Sequence, residues 1–170
     1  SEYSLLDGAC RIGSMMDRVQ ELGQNAIALT DHGVMYGTID FYRAAKKAGI
    51  KPIIGCEVYV ARRTRFDKVH GVDKEPYHLV LLCENEMGYR NLSYMVSLGF
   101  TEGFYNRPRV DMELLREHHE GLIALSACLA GRIPQAIMQE DLDAAEQAAR
   151  EYAEIFGPGH FYLELQDHAI

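Results

Sequence analysis

Seven residues stand out by chemical type. Asp7, Asp31, His32, Glu57, His78, Ser126 and Cys128 lie in the separate short motifs SLLDG, LTDHG, IIGCEVY, PYHLVLL and LSACLAG. Two imidazoles, carboxylates and a thiol form a mixed nitrogen, oxygen and sulfur donor set of the kind used by zinc, iron or manganese. A structural zinc site favours clustered CxxC pairs, and the sequence has none, so the donor types suit catalysis better than structure.

Each residue also has a plainer reading. His32 before Gly33 equally fits a turn into the next helix. Glu57, within an apolar strand, must be paired or ligated if it points inward, and needs neither if alternation turns it outward. Cys128 taken alone reads as a core thiol. His78 begins its strand, where an argument from strand ends finds no place for it. Serine, histidine and aspartate are all present, yet no GxSxG elbow occurs, and GxGxxG and GxxxxGK[ST] are also missing. Arg62, Arg63 and Arg65 are candidate phosphate contacts, although such a run also fits a solvated loop.

The elements that must position these residues follow from periodicity. Short apolar runs rich in branched residues alternate with segments of helical period, which is the α/β signature. A helix is expected over 11–22, with Ile12, Met15, Met16, Val19 and Leu22 on one face and Gly23 as its stop, and a strand over 26–29. A second helix, 35–48, places Ile39, Tyr42 and Ala45 on its inner stripe and stops at Gly49 before a strand over 50–60. Residues 61–76 read as an exposed, locally basic loop. Beyond it come a strand at 78–83 and a helix from Gly88 with Tyr89, Leu92 and Val96 facing inward. The loop TEGFYNRPRVD leads to a short helix after Asp111, a strand at 122–126, a helical turn begun by Pro134, an acidic helix over 141–156 and a final strand, FYLEL. Strands separated by helices imply a largely parallel sheet, open or closed as a barrel, with reactive groups gathered at its carboxyl edge. A chain that opens without a strand and stops after one is expected to be a piece of a longer protein.

Composition bounds the alternatives. With 170 residues, 48% apolar and 25% charged, the chain can bury one globular core, and disordered or collagen-like classes are excluded. A net charge of −8 argues against a surface that clamps nucleic acid as a whole, while leaving room for a local basic patch. No run approaches the ~18 apolar residues of a membrane span, and no basic-then-apolar leader opens the chain. Cys10, Cys56, Cys83 and Cys128 are widely spaced, as reduced thiols or single metal ligands are. The expected compartment is the cytoplasm, without membrane partners.

As a set, SEYSLLDGACRI, ALTDHGVMYGTIDFYRAAKKAGIKPIIGCEVYV, PYHLVLLCENEMGYRNL, EGLIALSACLAG and FYLELQDH resemble the PHP (polymerase and histidinol phosphatase) domains at the N-terminus of bacterial replicative DNA polymerase III alpha subunits. The resemblance covers essentially the whole chain. It implies a distorted β/α barrel of seven strands with up to three divalent metals at the carboxyl edge, and it carries Asp7, His32, Glu57, His78 and Cys128 onto metal-ligand positions. The family's H-x-H pair falls before Ser1 and its D-x-H pair beyond Ile170; Asp167 and His168 are adjacent and are not that motif. Residues 1–170 are therefore expected to be a partial PHP domain lacking the first and last strands.

The resemblance also implies a function. It points to metal-dependent phosphodiester hydrolysis of the 3′ to 5′ proofreading type, with zinc, manganese or iron, a metal-bound hydroxide as nucleophile and no side chain assigned a catalytic role. The parent would be a DNA-directed DNA polymerase, a nucleotidyltransferase whose magnesium centre lies elsewhere, with DNA, a proofreading exonuclease subunit and other replisome subunits as partners. The alternative is a catalytically silent, metal-stabilised scaffold that braces the polymerase and docks a separate exonuclease. A free-standing phosphatase fits the donors but not a segment such as GFTEGFYNRPRVD.

Overall fold

Apolar runs and helical segments become strands and helices in the expected order. The computed structural model describes residues 1–167, so His168 lies outside the described residues. A turn of 3-10 helix at Glu2–Ser4 precedes α1 (Ile12–Glu21), β1 (Ala26–Leu29), α2 (Thr38–Ala48), β2 (Lys51–Val60), β3 (Tyr77–Cys83) and α3 (Glu86–Thr101). Then follow β4 (Arg109–Val110), α4 (Met112–Glu117), β5 (Leu122–Leu125), α5 (Arg132–Met138), α6 (Leu142–Phe156) and β6 (Phe161–Tyr162). Local chemistry sets many of the ends. Asn85, Asp111 and Asp141 accept backbone N–H groups from the first turns of α3, α4 and α6, and Gly49 closes α2 in the left-handed conformation at φ 73°. Among the described residues no helix is long and apolar enough to cross a membrane.

The strands run in the order β1-β2-β3-β5-β6, with β4 also paired to β2, and the described sheet does not close on itself. This is the α/β architecture expected of part of a PHP barrel. One feature corrects the expectation of a parallel sheet: β3 is antiparallel to both β2 and β5, whereas β1, β4 and β6 pair in parallel. The cause is the connection. A parallel return needs a crossover, usually a helix, and the segment between β2 and β3 contains none.

Two cores hold the layers together. Cys56, Val58 and Val60 of β2 and Leu79 and Leu81 of β3 pack with Leu92, Met95, Leu114, Leu115, Ala148 and Tyr152 from the helices. Ile12, Met16 and Val19 of α1 close over Leu29, Phe41, Ala45 and Ile50. Burying each large side chain of this kind contributes ~1.5–3 kcal/mol. The inner stripe of α2 is Thr38, Phe41 and Ala45, whereas Ile39 and Tyr42 are exposed, because the i, i+4 pair Phe41 and Ala45 faces α1. The last strand is shorter than FYLEL: only Phe161 and Tyr162 pair, opposite Ala124 and Leu125, where β5 ends.

The 61–76 segment is irregular, as expected, but its charges are not simply solvated. Fully buried Arg109 donates to the carbonyls of Arg65, Asp67, Asp73 and Gly103. Arg65 pairs with Glu102, Asp111 and Glu113, and Arg63 with Asp73. Arg62 donates to the Glu75 carbonyl, the Tyr77 hydroxyl and Gln135. All three candidate phosphate contacts thus have intrachain partners: acidic side chains meet Arg63 and Arg65, and neutral acceptors meet Arg62.

Candidate metal centre

Alternation along β2 decides which residues reach the site. Cys56, Val58 and Val60 enter the core, so Glu57 and Tyr59 project from the opposite face. The backbone of Glu57 is bracketed by the turn that follows β1: its N–H donates to the Asp31 carbonyl at 3.0 Å, and its carbonyl accepts the Gly33 N–H at 2.9 Å. His32 is thereby set beside Glu57, as a lone parallel bridge. Gly33 is required there, because it sits at φ 67° and a Cβ would come within 2.7 Å of the Tyr59 ring and 3.0 Å of Pro108 Cγ.

The antiparallel course of β3 explains His78. Running against its neighbours, β3 begins at the edge where β1 and β5 end, so a residue at its start joins the carboxyl edge. His78 lies directly opposite Tyr59 and diagonally from Glu57. Its N–H also donates to the Ala130 carbonyl at 3.0 Å, which ties β3 to the loop after β5. That loop turns through Ala127 in the left-handed conformation at φ 62°, uncommon for a residue with a Cβ, and presents Cys128.

These placements bring four of the five candidate ligands together. Glu57 Oε1 lies 2.9 Å from His32 Nδ1 and 2.8 Å from His78 Nδ1, and Cys128 Sγ lies 3.5 Å from His78 Nδ1. One ligand atom each from Glu57, His78 and Cys128 fall within 4.8 Å of one another, a group that could hold a metal ion. Burial opposes ionisation of Glu57, but the two imidazoles outweigh it and hold the carboxyl below its ordinary range. The donor chemistry fits a divalent cation: an ionised carboxylate, imidazoles and a thiol at one partly buried point.

Asp7 stands apart from that group, exposed in the turn after the 3-10 helix. Asp31, beside His32, is buried and accepts the hydroxyls of Ser1 and Ser4 at 2.9 and 2.6 Å, while Ser4 Oγ accepts the His32 N–H. Ser126 is likewise occupied, accepting the Glu164 N–H at 2.8 Å. Two residues that the motifs did not single out flank the centre. The Tyr59 ring stands edge-on to His78 with centroids 5.2 Å apart, and the Arg107 guanidinium lies over the Tyr59 ring at 5.3 Å. The signal for Tyr59 was its i+2 spacing from Glu57; Arg107 left none, since only β4 brings it here.

Comparison with known proteins bears on this arrangement. The PHP domain family matches residues 1–168. DNA polymerase III subunit alpha of Treponema pallidum is 48% identical over 171 residues, covering 100% of this chain and 15% of that protein. The corresponding subunit of Thermus aquaticus is 45% identical over 174 residues, covering 100% and 14%. The chain therefore spans about 15% of the length of these curated relatives. Among solved structures, an amidohydrolase from Chromobacterium violaceum aligns with 89% of this chain and 47% of its own at 19% identity and a TM-score of 0.40.

Proposed function

The chain belongs to the PHP domain family, in the form carried by DNA polymerase III alpha subunits, and on that premise we propose that it forms a metal centre that hydrolyses phosphodiesters at 3′ ends of DNA. The observation that carries this reading is the convergence of His32, His78 and Cys128 on Glu57, from three strand ends and one strand face. Glu57, His78, Cys128 and His32 would hold the ion, with Asp7 a further ligand from the turn preceding α1. Zinc, manganese and iron all suit this mixed donor set. A divalent ion bound there supplies Lewis-acid polarisation of a phosphoryl oxygen and lowers the pKa of water.

The protein's own contribution is positioning. Glu57 Oε1 lies between the two imidazoles, 2.9 Å from His32 Nδ1 and 2.8 Å from His78 Nδ1, so these three donor atoms are gathered at one point. The turn of Asp31, His32 and Gly33 is clamped to β2 through the backbone, and Tyr59 walls one side of the centre. In its parent the domain would accompany DNA synthesis in the cytoplasm, with DNA, a proofreading exonuclease subunit and other replisome subunits as partners and magnesium serving a separate polymerase centre.

The test is removal of a mismatched 3′ primer end by the full-length alpha subunit with Mn²⁺ or Zn²⁺, beside its Glu57→Gln and Cys128→Ala variants. Metal-dependent excision lost in both variants supports the proposal. A folded, metal-loaded protein that excises nothing overturns it in favour of a metal-stabilised scaffold.

A further inference from the structure

We propose that Arg107 is the phosphate-binding arm of this centre, donating to the non-bridging oxygens of a phosphodiester held beside Glu57, His78 and Cys128. The inference rests on the hydrolytic reading above and names the residue that would recognise its substrate.

Placement comes first. One aromatic ring, Tyr59, separates the Arg107 guanidinium from His78: the ring meets His78 edge-on and carries Arg107 over its face. Arg107 Nη1 donates to the Tyr59 hydroxyl at 3.4 Å, a long bond that leaves the other N–H groups for a ligand. The backbone holds this pose. Asn106 turns through φ 59°, the Tyr105 N–H donates to the Arg107 carbonyl at 3.0 Å, and Pro108 abuts Gly33. Two residues on, buried Arg109 is pinned by four carbonyls and pairs with Tyr59 across β4 and β2.

Availability comes second. Arg62, Arg63 and Arg65 are committed to intrachain partners, whereas exposed Arg107 has no carboxylate partner among the described residues. Chemistry comes third. Glu57 brings negative charge to the centre and a phosphodiester is itself an anion, so a fixed cation is needed to meet it. A guanidinium matches two phosphate oxygens at once, and stacking on Tyr59 keeps it from folding onto the carboxylates.

The experiment uses the full-length alpha subunit loaded with Mn²⁺ and follows calorimetric binding of two probes, inorganic phosphate and the dinucleotide thymidylyl-thymidine. Arg107→Met is expected to weaken both about tenfold or more at unchanged metal content, with Arg107→Lys restoring part of the loss. Arg90→Met, which removes an exposed arginine paired with Glu86 on α3, should leave binding as it was. Unchanged binding in Arg107→Met, or a metal-loaded wild type that binds neither probe, overturns the assignment, as does a loss confined to inorganic phosphate. Arg107-dependent binding of both probes without any turnover supports Arg107 while rejecting the nuclease reading.

Discussion

Tyr59 and His78 face each other across β2 and β3, ring edge to ring face, with centroids 5.2 Å apart. The antiparallel register makes them direct partners, and the same register sets His78 diagonally to Glu57, where its Nδ1 reaches the carboxylate. A strand that begins where its neighbours end thus delivers a ligand to their shared edge.

Because both imidazoles converge on one carboxylate, Glu57 is the residue whose loss should disperse the site. Glu57→Gln in the full-length protein is expected to lower metal affinity at least ~10-fold, and His32→Ala to lower it as well. Metal titration followed by elemental analysis checks this. Unchanged affinity and stoichiometry in Glu57→Gln would show that the metal, if bound, sits elsewhere.

Arg109 fastens the 61–76 segment to the sheet through four backbone carbonyls. Arg109→Met leaves those acceptors without their donor, and at ~1–3 kcal/mol for each one that stays buried the loss should reach at least ~3 kcal/mol. Urea unfolding reads the stability, and trypsin cleavage after exposed Lys68 reads the loop. Cleavage as slow as in the wild type would refute the clamp.

Asp73 carries the acid sensitivity of the same segment. The Arg63 guanidinium, opposed by burial and aided by the Val69 N–H, holds its carboxyl down to about 2. A depressed folded-state value means stability that is complete above the ordinary carboxyl range near ~4 and is lost as pH falls toward 2. Asp73→Asn should lower the urea midpoint at about pH 6 and flatten its decline between about pH 4 and pH 2. An equally steep decline in the variant assigns the acid loss to other groups.

Gly33 occupies a left-handed turn with the Tyr59 ring and Pro108 against it. Gly33→Ala is expected to destabilise the fold by ~1–3 kcal/mol from backbone strain alone and to displace Tyr59 from His78. Urea midpoints measure the first effect and the ring-shifted resonances of His78 the second. A variant as stable as the parent, with those resonances unmoved, would show that the turn can relax.

What was legible in the sequence was local. The start after Asp111, the glycine stop at Gly49 and the apolar periods located nearly every element, because a helix end or an alternating strand depends on residues within a few positions of one another; the cap of α3 at Asn85 was missed, and that helix begins at Glu86 where Gly88 was expected. The donor types of Glu57, His78 and Cys128 were equally visible, since a carboxylate or a thiol among apolar neighbours stands out without a fold. The inner face of α2 was not, because Phe41 and Ile39 are equally apolar and only packing against α1 chooses between them. Nor was the fate of Arg62, Arg63 and Arg65, whose partners include residues tens of positions away. The direction of β3, and with it the place of His78, came from long-range pairing after a connection without a helix. Only that pairing could set His78 and Cys128 beside Glu57, for residues this far apart in sequence become neighbours through the sheet and not through the chain.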